Sequence, residues 1–183
     1  MGKRRAGTPA TLDEQSLEQA ALRYLERYSS AAAGLRRVLL RRVRRAAGEA
    51  GEESGRAMVD AVLAKLVRTG LLDDARFAEH RAASLARRGG SLHMIRRDLL
   101  KRGVAAPLIE AAVAALKSEQ GSASNDEADL AAALALARRR RLGPFRAPAA
   151  RAAFRMKDLA ALGRAGFAYE IARAVIDGDP ESG

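Results

Sequence analysis

The sequence contains no cysteine and only two histidines among its 183 residues. Without cysteine it has no disulfide framework, no thiolate ligand for a metal and no cysteine nucleophile. His80 and His93 have no partners at the spacing of a catalytic triad or a zinc site. A phosphate-binding loop of the form G-x-x-x-x-G-K-[ST] is also absent. We therefore predict that the protein is not an enzyme and holds no metal or cofactor.

Long apolar segments are missing as well. The longest uninterrupted apolar run, 130–137, has eight residues, far fewer than the ~20 that span a bilayer. The N-terminus MGKRRAGTPA is basic but is followed by no apolar stretch, so it does not resemble a signal peptide. These features favour a cytoplasmic protein with no membrane partner.

Aromatic residues make up only 4% of the chain, and 42 residues are alanine. Val, Ile, Leu and Phe together make up 21%, just above the ~20% below which charged chains tend to be disordered. The core must therefore be thin and built from leucine and alanine. This composition argues against a large β-sandwich, which needs β-branched and aromatic residues.

Positive charge is abundant by contrast. The formal net charge is +11, and 28 of the 33 basic residues are arginine. The charge is distributed along the chain, with +4 over residues 1–60, +5 over 61–120 and +2 over 121–183. A GC-rich genome would favour arginine over lysine but would not explain the net charge. The distribution predicts binding to a polyanion or to an acidic protein surface.

Apolar spacing of 3.6 residues recurs along almost the whole chain and predicts about nine short helices. Thr11 to Glu14 has the pattern of a capping box, followed by a helix to about Tyr28. Asp73-Asp74 is better explained as a helix cap than as part of a nuclease metal site, which needs several converging carboxylates. We predict a disordered tail 1–10, a three-helix repeat 11–70 with an acidic linker 48–55, a second repeat 71–120, a third repeat 125–177 and a disordered tail 178–183.

The repeats are visible as internal similarity. A shift of 60 residues aligns 35–42 (LRRVLLRR) with 95–102 (IRRDLLKR), and only Val38 against Asp98 breaks the chemical match. A weaker third copy, shifted by 76, aligns Ile95 with Ile171 and Leu99 with Val175. One three-helix unit of this size buries little by itself, so we expect an elongated array of stacked units.

The helices predicted around Leu35 and Ile95 have one apolar and one basic face. At 100° per residue, Leu35, Val38, Leu39, Leu40 and Val43 share one side of the first helix. Ile95, Leu99 and Leu100 are expected to be buried in the second. The predicted phosphate-contacting residues on these basic faces and at nearby helix ends are Arg37, Arg41, Arg44, Arg45, Arg87, Arg88, Arg97, Lys101, Arg138, Arg139, Arg140 and Arg141.

Alternative interpretations remain for these basic faces. Most charge runs on amphipathic helices are simply solvated, although four arginines on one face without an intervening acid would repel one another. Sequence-specific base recognition is less favoured, because the turns are generic and no base-contacting side chain stands out. Seven aromatic residues in total also make a poor stacking platform for single strands.

The segment Gly70-Leu71-Leu72-Asp73-Asp74-Ala75-Arg76-Phe77-Ala78 resembles the signature of the RecX family, regulators of the bacterial recombinase RecA. The segment 90–104 (GSLHMIRRDLLKRGV) is similar to the family's G-x-x-x-I-R-x-x-L-x-x-[KR]-G-[VI] pattern, with the first glycine one place further from the isoleucine. Residues 22–42 are similar to the first repeat of the family and 166–171 to the third. The chain departs from the family at Gly34, where an acidic residue is usual, and in the insertion GEAGEESG.

The resemblance implies a curved array of three three-helix units that binds in the groove of the RecA–single-stranded-DNA filament. We expect the protein to be a monomer. It implies suppression of the ATPase, co-protease and strand-exchange activities of RecA. Leu72 and Phe77 are then expected to pack the unit and Asp74 to cap it. Binding at filament ends, a free-standing architectural DNA-binding protein and a helical protein scaffold stay open as alternatives. Double-stranded DNA stays open as a further partner through phosphate contacts. The residues that match the family signature are Gly70, Leu72, Asp73, Asp74, Phe77, Ala78, Ile95, Arg96, Leu99 and Gly103.

Overall fold

The computed structural model describes residues 12–48 and 52–178, and every regular element in these ranges is helical. The predicted all-α class is confirmed. The chain divides into two compact units, residues 1–77 and 78–183. The elements in the described ranges are α1 Glu14–Leu25, α2 Ala32–Ala47, α3 Glu52–Arg68, α4 Asp74–Arg87, α5 Leu92–Arg102, α6 Ala106–Glu119, α7 Asn125–Arg140, a 3-10 turn Gly143–Phe145, α8 Pro148–Arg164 and α9 Tyr169–Asp177.

We call α1–α3, α4–α6 and α7–α9 the first, second and third triads. The helix positions agree with the sequence prediction to within a few residues at most ends, whereas the 3-10 turn was not predicted. The predicted tail 1–10 lies outside the described residues, as does the predicted tail 178–183 except for Gly178, which follows α9.

Helix α1 begins at a different cap from the one predicted and ends earlier. The Asp13 carboxylate accepts a hydrogen bond from the Ser16 backbone N–H at 2.8 Å, and Ser16 Oγ accepts one from the Asp13 N–H at 3.3 Å. Ser16 therefore does what Glu14 was expected to do, and Thr11 lies outside the described residues. The helix ends at Leu25 rather than at Tyr28.

Part of the predicted acidic linker 48–55 is helical, so the connection between α2 and α3 is shorter than the sequence predicted. Helix α2 ends at Ala47, with Gly48 at a φ of 64°, and α3 already begins at Glu52. Acidic residues are favourable in the first turn of a helix, which explains why this segment can join α3. Gly55 is buried, and a Cβ at this position would clash with the Val43 side chain of α2.

The core of the first unit forms where α1, α2 and α3 pack on one another. As the 3.6-residue spacing predicted, Leu35, Leu39 and Val43 on α2 are buried, whereas Val38 and Leu40 are half-buried. Each fully buried leucine removes enough apolar surface from water to contribute about 1.5–3 kcal/mol. The buried residues of this core are Leu17, Ala21, Leu35, Leu39, Val43, Val59, Val62, Leu63, Leu66 and Leu72.

The second unit contains the rest of the second triad and the whole third triad. On α5, Ile95 and Leu99 are fully buried as predicted, but Leu100 is 64% exposed, so its predicted burial was wrong. Leu100 lies 100° around the helix from Leu99, which carries it off the buried face. The core of the third triad consists of Ala133, Leu136, Ala137, Leu142, Leu159, Leu162, Phe167, Ala172, Val175 and Ile176.

One ion pair recurs in every triad and shows which helices correspond to one another. An arginine of the middle helix forms two hydrogen bonds with an acidic residue of the third helix, as in Arg36–Asp60, Arg96–Glu110 and Arg155–Asp177. This places α8, not α9, opposite α5. The predicted 76-residue shift, which aligned Ile95 with Ile171, therefore compares helices in different places in their triads.

A long-range helix cap also recurs. The Asp74 carboxylate, on α4, accepts a hydrogen bond from the N–H of Ala32, the first residue of α2, at 2.7 Å. Asp129, on α7, likewise accepts one from the N–H of Leu92, the first residue of α5, at 2.8 Å. The first residue of α8 is Pro148, which has no N–H to satisfy. The first helix of each later triad thus caps the middle helix of the triad before it.

Candidate nucleic-acid interface

The basic face of α2 lies where the sequence placed it. Arg37, Arg41, Arg44 and Arg45 are all exposed, while the apolar side of the same helix enters the core of the first unit. The helix has no acidic residue in its sequence between Ala32 and Ala47. This face therefore offers guanidinium groups with no carboxylate of the same helix to neutralise them.

A groove lies between α1 and α2 in the first unit, and sequence reasoning missed it. Its volume is about 940 Å³, and its walls combine arginines of both helices with two tyrosines of α1 and the turn that follows. The Tyr24 and Tyr28 ring centroids lie 5.1 Å apart at an interplanar angle of 40°. The spacing Arg23-Tyr24…Arg27-Tyr28, with each pair four residues apart, is the signal that could have shown these side chains to be neighbours.

Basic groups of the second triad are also exposed. Arg97 and Lys101 project from α5, and Arg87 and Arg88 lie at the end of α4. Arg96, in contrast, is half-buried and held by Glu110, as described above. Arg97 and Lys101, which the sequence places on the basic face, are thus the exposed basic residues of α5.

The arginines of the run 138–141 are all exposed, but their contacts differ. The Arg138 guanidinium lies 5.4 Å from the centroid of the Phe145 ring. Arg139 donates hydrogen bonds to the backbone oxygens of Arg87 and Arg88, at 3.0 and 2.7 Å. Arg139 thus binds the carbonyls that remain unsatisfied at the end of α4. Arg141 ends α7 in the left-handed region with a φ of 55°.

Arg140 instead lines a small pocket of about 230 Å³ between the second and third triads. Two further arginines, Arg88 and Arg164, lie around the same pocket, and its apolar wall includes Met94 and Leu136. The positive φ of Gly166, 92°, lets the chain turn beside this pocket after α8. Three guanidinium groups at one small pocket make it attractive to an anion.

The residues of the family signature are structural in this chain. Leu72 is 3% exposed and belongs to the core of the first unit, and Phe77 and Ala78 are buried. Asp73 caps α4 by accepting a hydrogen bond from the Arg76 N–H at 3.0 Å, while Asp74 caps α2 as described above.

The two signature glycines adopt backbone conformations that favour glycine. Gly70, after α3, has a φ of 71°, and Gly103 ends α5 in the left-handed region with a φ of 86°. In this chain the signature residues thus lie at helix ends, at helix caps and in the core.

Asp98 explains the position at which the first two repeats differ. Its carboxylate accepts hydrogen bonds from Arg81 of α4 at 2.8 and 3.0 Å and from Arg102 of α5 at 2.7 Å. The hydrogen bonds from Arg81 and then Arg102 outweigh the effect of burial and lower the pKa of Asp98 to about 2. Burial instead raises the pKa of Asp129, against the hydrogen bond from the Leu92 N–H.

His80 and His93 are both exposed. In the part of the chain that the structure describes, no three acidic, histidine or cysteine side chains come together in a way that could hold a metal ion. Across the same residues, each helix is too short or too polar to cross a membrane.

Comparison with known proteins agrees with the resemblance noted in the sequence. The family model described as "RecX, second three-helix domain" matches residues 73–113, which run from the Asp73 cap into α6. The chain is similar to a crystal structure of a regulatory protein RecX, with a TM-score of 0.59, 18% identity, and coverage of 93% of this chain and 74% of that one. That structure supports the fold.

A curated relative extends the similarity to almost the full length. The regulatory protein RecX of Myxococcus xanthus (strain DK1622) is 43% identical over 175 residues, which cover 94% of this chain and 90% of the relative. The matched length takes in all three triads. The chain belongs to the RecX family of regulatory proteins.

Proposed function

We propose that this protein binds RecA and the RecA–single-stranded-DNA filament and modulates the filament, mainly by inhibition. The affected activities are its ATPase, co-protease and strand-exchange activities in recombination, DNA repair and the SOS response. The observation that carries this proposal is the 43% identity to a regulatory protein RecX over almost the whole chain. The protein acts by binding, as a cytoplasmic monomer without chemistry of its own.

The charge distribution supports a filament as the target. Exposed basic groups occur on both units, on α2 in the first and on α5 and the end of α7 in the second. A nucleoprotein filament offers phosphates and acidic side chains over a length that a multi-unit protein can follow. Regulation then follows from binding across recombinase subunits.

A RecA ATPase assay on single-stranded DNA tests the proposal. Inhibition should persist when excess free duplex DNA is added to a preformed filament, because the filament itself is the target. A free-standing DNA-binding protein, favoured by the exposed arginines alone, would instead be titrated away by the free DNA. Loss of inhibition under those conditions would therefore overturn the proposal.

Charge reversal on α2 tests the predicted face. Arg37→Glu with Arg41→Glu should weaken filament binding without changing helix content measured by circular dichroism. The matched control is Arg68→Glu with Arg76→Glu, which makes the same change in net charge at exposed positions outside the predicted set. Equal weakening by both pairs would mean that net charge, not the α2 face, governs binding. A loss of helicity would identify Arg37 and Arg41 as packing residues.

A further inference from the structure

The groove between α1 and α2 has an unusual combination of side chains. Tyr24 and Tyr28 lie on one wall. Five arginines surround them, namely Arg23, Arg27, Arg41, Arg42 and Arg45. Of these two tyrosines and five arginines, only Arg41 and Arg45 are among the phosphate contacts predicted from the sequence. The small number of aromatic residues had argued against base stacking.

These five arginines have no counter-charge within the described part of the chain. Their guanidinium groups form no hydrogen bond or ion pair with any described residue, unlike Arg36 on the same helix, which is held by Asp60. Among the described residues that line the groove, Glu26 alone is acidic, and it is exposed. Five cations around one groove repel one another unless an anion is bound. The charge therefore favours an anionic ligand.

The tyrosines add a second and independent requirement. Tyr28 is 57% exposed, so its ring is available to a ligand, while Tyr24 is packed against the core of the first unit and is thereby fixed in place. An exposed aromatic face beside guanidinium groups is the arrangement on which unpaired bases stack in single-strand-binding proteins. A polypeptide ligand with acidic side chains would use the arginines but would gain little from the rings.

We propose that this groove is a binding site for single-stranded nucleic acid, with a base stacked on Tyr28 and its neighbouring phosphates on the arginines of α1 and α2. A volume of about 940 Å³ leaves room for a base together with its phosphates. Duplex DNA does not fit this role, because its bases are already stacked on one another. The site deepens the proposed function by giving the filament's DNA strand a place on this protein, yet it binds a free strand without RecA.

The test measures binding of the full chain to three fluorescent probes by anisotropy. The probes are an oligothymidylate, an abasic oligonucleotide with the same number of phosphates, and a poly-glutamate peptide. The wild-type protein should prefer the oligothymidylate to the abasic strand by about tenfold, the effect of one stacked base. Tyr28→Leu should abolish this preference, and Tyr28→Phe should retain it.

The third tyrosine of the chain provides the matched control. Tyr169 is 61% exposed and lies on α9, in the other unit, so Tyr169→Leu should leave the preference unchanged. Arg41→Ala with Arg45→Ala should weaken both oligonucleotides equally and reduce the slope of log affinity against log salt by about 2. A circular dichroism spectrum confirms that each variant is folded.

Three results would contradict the proposed nucleic-acid site. The wild-type protein could bind the thymidylate and abasic strands equally, or Tyr28→Leu could leave the preference unchanged. The wild-type protein could also bind poly-glutamate more tightly than either strand. The last would assign the groove to an acidic protein. The RecA ATPase assay, run in parallel, separates the two proposals. If the protein inhibits RecA but shows no Tyr28-dependent preference, the groove is not the proposed site and the proposed function still holds. If it shows the preference but does not inhibit RecA, the site holds and the proposed function is contradicted.

Discussion

The arginines of the first and third triads are used in different ways. In the third triad three of them are bonded to their own fold: Arg146 to Asp158, Arg155 to Asp177, and Arg151 to the backbone oxygens of Pro144 and Arg146. Around the groove of the first triad, the guanidinium groups make no such bonds to described residues. The same residue type thus forms hydrogen bonds within the third triad and gives the groove of the first triad a basic surface.

Asp158 is the buried carboxylate that holds Arg146 in the third triad. It is 2% exposed and accepts hydrogen bonds from the Gly143 N–H at 2.9 Å and from Arg146 at 2.8 and 3.1 Å. Burial alone would raise the pKa of Asp158, but the hydrogen bonds from Arg146 and Gly143 outweigh it and lower the pKa. Arg146 also stacks over the Phe154 ring at 4.3 Å. A buried carboxylate thus fixes the Arg146 guanidinium, and the groove of the first triad contains no equivalent among its described residues.

The largest expected effect comes from removing this carboxylate. Asp158→Ala should lower the free energy of unfolding by about 3 kcal/mol, because it leaves the Gly143 N–H buried without a partner and Arg146 without its counter-charge. Urea denaturation measures the loss, and amide exchange should place it in α8 and the 3-10 turn.

The recurring ion pair of the same triad is the control for this prediction. Asp177→Ala removes a carboxylate that is 40% exposed, so solvent already screens its pair with Arg155 and the loss of stability should be much smaller. Equal losses in the two variants would show that burial is not what distinguishes Asp158.

Asp98 makes the stability of the second triad depend on pH. Its pKa of about 2 lies below the ordinary value of 3.8, so ionised Asp98 stabilises the fold above about pH 4, and this contribution is lost as the pH falls toward 2. Asp98→Asn should cost about 1–2 kcal/mol near pH 6, because its charge-assisted hydrogen bonds with Arg81 and Arg102 are weakened. The difference between wild type and variant in urea denaturation should shrink by about pH 3. A difference that stays constant with pH would contradict the assignment.

The smallest expected effects come from the long-range caps. Asp74→Ala and Asp129→Ala should each lower stability by about 1 kcal/mol, because the first N–H of α2 or α5 loses its acceptor. Asp74→Asn, which keeps an acceptor oxygen, should recover most of the loss. Amide exchange should speed up at the N-terminus of α2 for Asp74→Ala and of α5 for Asp129→Ala. Exchange confined to α4 in the first variant would mean that Asp74 serves its own helix instead.

Much of the fold could be predicted because it rests on local physics. The 3.6-residue spacing located the helices and the buried side of α2, and Ser91 and Gly103 marked the two ends of α5 as predicted. Predictions failed where a neighbouring helix decided the outcome. Leu100 has the residue type of a core position, yet the sequence could not show that no part of the fold covers it.

The candidate site was harder to predict for the same reason. The basic face of α2 follows from the spacing within one helix, so Arg41 and Arg45 were identified. Their proximity to Tyr24 and Tyr28 depends on how α1 packs against α2, which no local pattern encodes. Arg139 shows the opposite case, since it belongs to a basic run but is held by carbonyl oxygens of Arg87 and Arg88, more than fifty residues away.

The sequence by itself determined the helical class, the excess of arginine and the membership of a family of regulators, because periodicity, composition and motif spacing are properties of the chain alone. Tertiary structure decided which arginines remain available to a partner. That choice depends on whether a carboxylate or carbonyl oxygen lies within about 3 Å of each guanidinium group. Several of these oxygens come from other segments of the chain, as Asp60 does for Arg36 and Asp158 does for Arg146, and folding brings them together.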